Sequence, residues 1–409
     1  MASIQSFKTK LDHISFLKII LLGLIIRILL MPLTGHRDTA TLFASADKFI
    51  SDGFLVFYKT HAVLYPPLAY LTLGFWQNLI RFLLPSSYPQ WQSLPILYQF
   101  ISFSSFRIFF LLKLFYLPFD IGTAFIISKF GRNFRESKIL FTLWIFNPIV
   151  LYTTSMWGSL DIIPTFLSIL SIYLIYKKKP VWGFFLLGIA AQFKLWPLLL
   201  LPLTAVISQK SLRQQIKMFL IGIIPFISML LPVLTKPDYL TTFTSSERST
   251  LINNASIYIG FSQYIYIFLL IYLLIIFYTE NFYKGKMAML TAISLIVLAI
   301  FYITSAYTPQ WFLWILPYLI IQTVYYPQLF KSFVYICISY LLVILTYDAP
   351  LSIGLFAPFD PSLLNTPILK ELFERTVVDP NKIWSVFRTI NAATIIWFIY
   401  HWRIASKKS

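Results

Sequence analysis

The chain has 409 residues, of which 58% are hydrophobic and only 15 are Asp or Glu. Its mean hydropathy of +0.76 lies far above the range of soluble domains. Apolar runs of about 18 residues or more recur along the chain, and that is the length needed to cross a bilayer. The composition excludes a soluble globular protein. It predicts an all-α, multi-pass membrane protein that forms one integral membrane domain over residues 1–409.

Basic residues outnumber acidic ones, and the formal net charge is +18. They cluster in short loops between apolar runs, which is typical of cytoplasmic loops under the positive-inside rule. Contact with anionic lipid head groups is a second interpretation, and no nucleic-acid partner is expected. The one cysteine, Cys337, excludes an intramolecular disulfide and a Cys-rich metal site.

The first apolar run, residues 16–33, is interpreted as an uncleaved anchor. Basic residues near 18 and 129 must both be cytoplasmic, so the chain crosses an even number of times between them. Residues 64–84 are the weakest span, since they contain two prolines and Arg81. Residues 34–103 are therefore predicted to form one large external loop. It should hold an amphipathic helix near 39–52 and a second surface-lying helix near 67–84.

Residues 104–409 hold the remaining predicted spans. Basic loops flank 181–208 on both sides, which predicts a hairpin broken at Lys194-Leu-Trp-Pro197, because proline and a charge both interrupt a buried helix. The count comes to about 12 transmembrane helices with both chain ends in the cytoplasm. External segments are then expected at 157–161, 235–260, 305–311 and 348–382.

This topology collects polar residues from distant loops on the external face. A set of convergent polar groups on one face of an apolar bundle is the default hypothesis for a binding or catalytic site. The candidates are Asp38, His61, Tyr65, Asp161, Lys194, Arg248 and Gln310.

Asp38 is the best candidate for a general base. The alternative is that it caps the helix at 39–52, because Asp is a favoured N-cap residue, and both roles are compatible. Asp161 is open to two interpretations in the same way. It either caps a helix or orients a polar ligand or a neighbouring basic group.

Lys194 is a candidate counter-ion for phosphate, which a compact ammonium suits. The alternative is a lysine that extends along an apolar surface towards water. His61 is either a phosphate ligand or an ordinary loop residue. Gln310 is either a ligand contact or part of an interfacial aromatic belt.

Three charged residues, Arg27, Lys113 and Asp120, lie within predicted helices. Charges within membrane helices usually face the bundle interior, where they find polar partners. We expect these three to be structural and to pair with one another.

Four stretches carry a resemblance to a known family. They are the loop from Asp38 through Phe43-Ala-Ser-Ala-Asp47 to Leu64-Tyr-Pro-Pro-Leu-Ala-Tyr70, the pair Phe146-Asn-Pro148 and Trp157-Gly-Ser-Leu-Asp161, the run Gly188-Ile-Ala-Ala-Gln-Phe-Lys194-Leu-Trp-Pro197, and Pro309-Gln-Trp-Phe-Leu-Trp314. Their order and rough spacing over residues 14–320 resemble the GT-C class of polyprenyl-phosphate-sugar-dependent glycosyltransferases. The resemblance is greatest to the mannosyltransferases that add the first mannose in glycosylphosphatidylinositol synthesis and to prokaryotic polyprenol-phosphomannose-dependent enzymes.

The resemblance implies a GT-C-like helix bundle that moves a hexose, with mannose favoured, from a polyprenyl-phosphate donor. The acceptor would be a hydroxyl of a glycan or glycolipid at the external face, and transfer would be inverting. Asp38 stands where that class carries its catalytic acid. Some relatives have paired acids there, whereas this chain has His36-Arg37-Asp38, so a divalent metal is possible but not supported. A phosphate leaving group needs no cofactor, and none is expected.

A multi-pass transporter or lipid-linked-sugar flippase is the alternative function, and a non-catalytic accessory protein is a third. A transporter predicts two related half-sequences with broken helices near the midplane, and the sequence shows no such symmetry. The expected location is the plasma membrane in a prokaryote or the endoplasmic reticulum in a eukaryote, with membrane lipids as further partners.

Overall fold

The computed structural model describes residues 13–61, 65–234, 255–367 and 379–408, and within these ranges the chain is built almost wholly from helices. The α-helices are α1 (Phe16–Leu33), α2 (Arg37–Asp52), α3 (Phe54–Thr60), α4 (Pro67–Leu79), α5 (Tyr88–Ser93), α6 (Ile96–Ile101), α7 (Ser105–Lys113), α8 (Leu117–Ser128), α9 (Phe134–Ile145), α10 (Pro148–Val150), α11 (Ile162–Tyr176), α12 (Pro180–Ala191), α13 (Leu200–Ser208), α14 (Leu212–Leu234), α15 (Ile267–Phe282), α16 (Leu290–Thr304), α17 (Leu316–Tyr325), α18 (Phe330–Ile344) and α19 (Pro380–Lys408).

Shorter elements connect these helices. A π-helical turn covers Leu151–Trp157, and strands β1 (Ser256–Gly260) and β2 (Gln263–Tyr266) form an antiparallel hairpin. Turns of 3₁₀ helix cover Arg81–Leu83, Trp196–Leu199, Met287–Met289, Pro309–Trp314, Pro327–Leu329, Ala349–Leu351, Ile353–Phe356 and Pro361–Asn365.

Six helices within the described ranges are long and apolar enough to cross a membrane. They are Phe16–Leu33, Ser105–Ser128, Leu212–Pro232, Met287–Thr304, Pro327–Ile344 and Asn381–Lys407. Phe134–Ile145 and Pro148–Trp157 give a seventh span if the two are taken as one helix bent by 43°. The chain is thus a helical, multi-pass membrane protein.

The expected count of about 12 spans is not confirmed. Five further apolar helices have only 10–17 residues, and a straight crossing of the hydrocarbon core needs roughly 20. The sequence alone does not separate such short buried helices from true spans, because both are continuous apolar runs. The GT-C-like arrangement of the bundle stays a prediction.

Two local predictions are confirmed. The amphipathic helix expected near 39–52 is α2, with Phe43, Ala46 and Phe49 buried on its apolar face. The break expected at Lys194–Pro197 is also present, since α12 ends at Ala191 and a 3₁₀ turn begins at Trp196. The region predicted as a helix near 67–84 forms α4 and the turn Arg81–Leu83.

The packing divides the chain into two compact units. The first takes the described residues of Met1–Ala44, Trp76–Ser159 and Leu319–Ser409, and the second takes those of Ser45–Phe75 and Leu160–Tyr318. In the first unit α1 packs on α7, α8 on α9, and α18 on α19. In the second unit α12 packs on α11 and on α14, and α13 also packs on α14. The expectation of one integral membrane domain stays a prediction.

A buried ion pair holds three helices of the first unit together. The Arg27 Nε of α1 lies 2.8 Å from Asp120 Oδ2 of α8, and its Nη1 donates to the Ile145 carbonyl at the end of α9 at 2.7 Å. Asp120 also accepts hydrogen bonds from Trp144 Nε1 at 2.8 Å and Thr154 Oγ1 at 2.7 Å. Both charged side chains are buried. A buried pair is tolerated only when its remaining donors and acceptors are satisfied in this way.

We predict that Arg27→Met and Asp120→Leu each lower the unfolding free energy by on the order of 3–5 kcal/mol, because each leaves one buried charge without its partner. The double variant should lose clearly less than the sum of the two. Asp120→Asn, which keeps an acceptor oxygen, is the matched control and should lose less than Asp120→Leu. Thermal unfolding of the detergent-solubilised protein measures all four. Strictly additive losses would contradict the pairing.

Candidate functional site

Asp38 lies in the first turn of α2, and its side chain is 57% exposed. The cap position before the helix is held by His36. Its carbonyl accepts from Thr39 N–H at 3.2 Å, and its ring Nδ1 accepts from Asp38 N–H at 3.1 Å. A side chain that accepts from the second helical N–H is the geometry of an N-cap. The alternative interpretation of Asp38 as the cap is therefore wrong, since His36 fills that role and leaves the carboxylate exposed.

The His36 ring is buried against the indole of Trp157, with ring centroids 4.4 Å apart. Burial lowers the pKa of His36 to about 4; Asp38 opposes this shift, while Arg37 and Lys113 add to it. The ring is therefore neutral at physiological pH. Since Nδ1 accepts the Asp38 N–H, the ring proton is assigned to Nε2.

A second contact fixes the start of α2 on the turn that follows the π-helical segment. Thr39 Oγ1 donates to the Trp157 carbonyl at 2.7 Å. Gly158 ends that segment with φ +79, in the left-handed region that favours glycine. A Cβ at Gly158 would lie 2.9 Å from Lys113 Cγ and 3.1 Å from Thr39 Oγ1. The close approach of Lys113 and Thr39 to this turn therefore favours glycine, which has no side chain.

Lys113 connects the π-helical segment to the end of α1, just before α2 begins. Its Nζ donates to the carbonyls of Met31 (3.1 Å), Thr34 (2.7 Å) and Met156 (2.6 Å), and to Thr34 Oγ1 (3.0 Å). The side chain is fully buried. Two of the carbonyls lie at the end of α1, where the helix dipole favours a cation. The pairing of Lys113 with Asp120 is not found, because Asp120 binds Arg27 and Lys113 binds backbone oxygens instead.

The second unit contains a separate polar cluster around Asp161. Lys194 Nζ lies 2.8 Å from Asp161 Oδ1 and 2.7 Å from Oδ2, and Trp314 Nε1 donates to Oδ1 at 2.6 Å. Asp161 is buried, whereas 13% of the Lys194 side chain is exposed. Asp161 stands at the N-cap position of α11, but its side chain makes no capping hydrogen bond. Its carboxylate binds a basic neighbour, Lys194, and its role towards a ligand stays a prediction.

Aromatic rings surround the Lys194 ammonium. It lies 5.9 Å from the centroid of the Tyr65 ring and 5.6 Å from that of Trp314. Trp314 in turn stacks on Trp196 at 5.2 Å and on Trp311 at 4.7 Å. Ring faces favour a cation placed within about 6 Å. The arrangement places a partly exposed ammonium, ion-paired with Asp161, against a wall of aromatic rings.

The remaining predicted site residues are His61, Gln310 and Arg248. His61 follows α3, stacks on Phe57 at 4.9 Å, and has its Nδ1 2.8 Å from Thr60 Oγ1. Gln310 is buried, and its Oε1 has no hydrogen-bond partner among the described residues. An orphan acceptor of this kind is costly unless a ligand or water satisfies it. Arg248 lies outside the described residues, as does most of the surrounding loop.

The structure thus brings together Asp161, Lys194 and Tyr65, and it places Asp38 in a cluster of different residues. Sequence reasoning missed His36, Thr39 and Lys113 as the residues that mount Asp38, and Trp314 as a partner of Asp161. The sequence did offer a signal for two of them, because His36 and Thr39 are polar residues that lie within two residues of Asp38 in the chain. Within the described ranges, no three His, Cys, Asp or Glu side chains lie close enough to share a metal ion.

We predict that acid destabilises the protein through His36. The folded-state pKa of about 4 lies below the unfolded value of 6.5, so between those pH values only the unfolded chain binds a proton at this ring. Stability should therefore fall as the pH drops from 6.5 to 4, by on the order of 3 kcal/mol from this group.

His36→Asn is the matched variant, because Asn also caps helices but does not titrate in this range. Unfolding temperatures of the detergent-solubilised wild type and variant, compared at pH 7, 5.5 and 4, measure the effect. The wild type should lose more stability than the variant over this range. Parallel curves for the two proteins would refute this role of His36.

Comparison with known proteins gives one local similarity. Over 100 residues the chain is 33% identical to GPI mannosyltransferase 1 of Debaryomyces hansenii. The match covers 22% of this chain and 24% of that protein, so it supports a mannosyltransferase-like family at most. No family model matches the chain, and no solved structure matches it significantly.

Proposed function

We propose that this protein is a membrane glycosyltransferase that moves a hexose, mannose in preference, from a polyprenyl-phosphate donor to an acceptor hydroxyl at the external membrane face. The partial similarity to a GPI mannosyltransferase supports glycosyl transfer as the reaction class. That name also leads us to propose a phosphate-bearing glycolipid as the acceptor. The donor, the sugar, inversion and the base are our own proposals.

The observation that carries the proposal is that the Asp38 side chain is exposed while hydrogen bonds hold the backbone around it. Its carboxylate is more than half exposed, while the backbone around it is held by His36, Thr39 and Lys113. A general base needs access to the proton that it removes and a fixed position from which to remove it. Asp38 combines an exposed side chain with a hydrogen-bonded backbone, in a chain that contains only 15 acidic residues.

In the proposed step the acceptor hydroxyl attacks the anomeric carbon of the donor from the face opposite the phosphate. Asp38 takes the hydroxyl proton as the new carbon–oxygen bond forms. The bond between the anomeric carbon and the phosphate oxygen breaks, and the polyprenyl phosphate leaves with the electron pair. Inversion follows from this single displacement. General-base assistance of this kind contributes typically about 10²–10⁴-fold to the rate.

Negative charge builds on the departing phosphate, and we propose Lys194 as the cation that stabilises it. Asp161 binds the ammonium directly, and Trp314 Nε1 in turn donates to Asp161, so little reorganisation is needed when the charge develops. Tyr65, His61, Gln310 and Arg248 are proposed as further contacts to the donor. A phosphate leaving group needs no redox or electron-sink cofactor, so none is proposed.

We predict that Asp38→Asn abolishes sugar transfer, with a fall in rate of about 10²-fold or more, because the amide cannot accept the proton. Binding of the lipid-phosphate donor should be unchanged, since the shape of the side chain is kept. The assay is transfer of labelled mannose from synthetic polyprenyl-phosphate mannose by the purified protein, with donor binding measured in parallel.

Asp52→Asn is the matched control, because Asp52 is an exposed acid at the far end of the same helix. It should transfer sugar at the wild-type rate. Full activity in Asp38→Asn would remove Asp38 as the base. A wild-type protein that binds the donor but never releases its sugar would instead favour a transporter.

A further inference from the structure

The first unit contains a cavity of about 330 Å³ beside the start of α2. One wall comes from Gly35, His36 and Arg37, which directly precede Asp38. A second wall comes from the 3₁₀ turns of residues 349–365, which contribute Pro350, Gly354, Leu364 and Asn365. Leu97 and Phe100 of α6 complete the lining. The volume lies at the lower end of the roughly 300–1,000 Å³ of small-molecule sites. It offers room for one sugar-sized or headgroup-sized moiety.

The two walls are tied to each other and to the interior. Gly35 N–H donates to the Leu355 carbonyl at 2.8 Å, and Tyr152 Oη donates to the Leu351 carbonyl at 2.6 Å. A Cβ at Gly35 would lie 2.6 Å from the Phe109 ring and 2.9 Å from the Phe100 ring. The cavity is therefore a fixed feature of this unit, held by backbone hydrogen bonds and close ring contacts.

The lining combines apolar walls with a few polar groups, which is the composition of a ligand site. Leu97, Phe100 and Leu364 supply apolar surface, and Asn365 supplies an amide. Arg37 is exposed and, in the part of the chain that the structure describes, forms no ion pair. A partnerless guanidinium beside an apolar wall suits an amphiphilic ligand with a phosphate, since arginine binds phosphate through two parallel N–H groups.

We propose that this cavity binds the headgroup of the phosphate-bearing glycolipid acceptor and that residues 349–365 determine which acceptor is used. This inference rests on the proposed function. It assigns a role within a stretch of chain, residues 320–409, that lies beyond the resemblance found in the sequence.

Position decides between acceptor and donor. The cavity and the base share His36, which lines the cavity and lies 3.7 Å from Asp38 Oδ2. A general base must reach the proton of the hydroxyl that attacks, and that hydroxyl belongs to the acceptor. Asp38 follows these lining residues directly in the chain, so a molecule seated against His36 and Arg37 lies next to the residue proposed to deprotonate the acceptor hydroxyl.

The test measures equilibrium binding of two probes to the full-length, detergent-solubilised protein: short-chain phosphatidylinositol, which carries the acceptor chemistry, and synthetic polyprenyl-phosphate mannose. Leu364→Trp fills the cavity and Arg37→Gln removes its cation. Each variant should weaken phosphatidylinositol binding by about tenfold or more, the size of one lost hydrogen bond to a charged group. Binding of the polyprenyl donor should stay within about twofold of wild type.

Matched controls separate the cavity from general damage. Leu363→Trp adds the same bulk one residue away from the lining, and Arg81→Gln removes an exposed arginine elsewhere in the same unit. Both should bind the two probes as the wild type does. If Leu364→Trp does not fold, Arg37→Gln still tests the site, because Arg37 is an exposed side chain.

Unchanged phosphatidylinositol binding in both variants overturns the acceptor cavity, and so does loss of donor binding in place of it. Neither result touches sugar transfer by the wild type, which tests the proposed function by itself. Conversely, a protein that transfers no sugar but loses phosphatidylinositol binding in Arg37→Gln and Leu364→Trp would retain the site and lose the proposed reaction.

Discussion

The buried amino group of Lys113 is the contact on which the geometry around Asp38 depends. It binds carbonyls at the end of α1 and the carbonyl of Met156 just before Gly158. Thr39 and His36 then attach the start of α2 to the same turn. Lys113 also lies over the Phe109 ring, 5.6 Å from its centroid, and a buried cation needs such a set of partners to offset its lost hydration. As a result, the Asp38 side chain is exposed while hydrogen bonds fix the backbone that carries it.

Local features of this arrangement were predictable from the sequence. Apolar residues at Phe43, Ala46 and Phe49 follow helical spacing, so α2 was predicted within two residues of its observed start. The interruption before Trp196 follows from Pro197 and the charge of Lys194. Helix α2 and this interruption both depend on residues close together in the chain, so the sequence is enough to predict them.

Long-range features were not predictable in the same way. Asp161 and Lys194 are 33 residues apart and Trp314 is 153 residues from Asp161, so no local pattern announces their contact. Three of the four oxygens that Lys113 binds are backbone carbonyls, which every residue carries, so the sequence does not identify them. The expected count of about 12 spans is not confirmed for a related reason, since apolar helices of 10–17 residues cannot be told by composition from helices that cross the membrane.

The most direct test of sugar transfer offers purified protein a glycolipid acceptor together with labelled mannose in two forms, on a polyprenyl phosphate and on a nucleotide. We predict labelled glycolipid from the lipid-linked form alone, with one polyprenyl phosphate released for each sugar transferred. Label that reaches the acceptor from the nucleotide form, or a lipid donor that stays intact in the presence of acceptor, would contradict it.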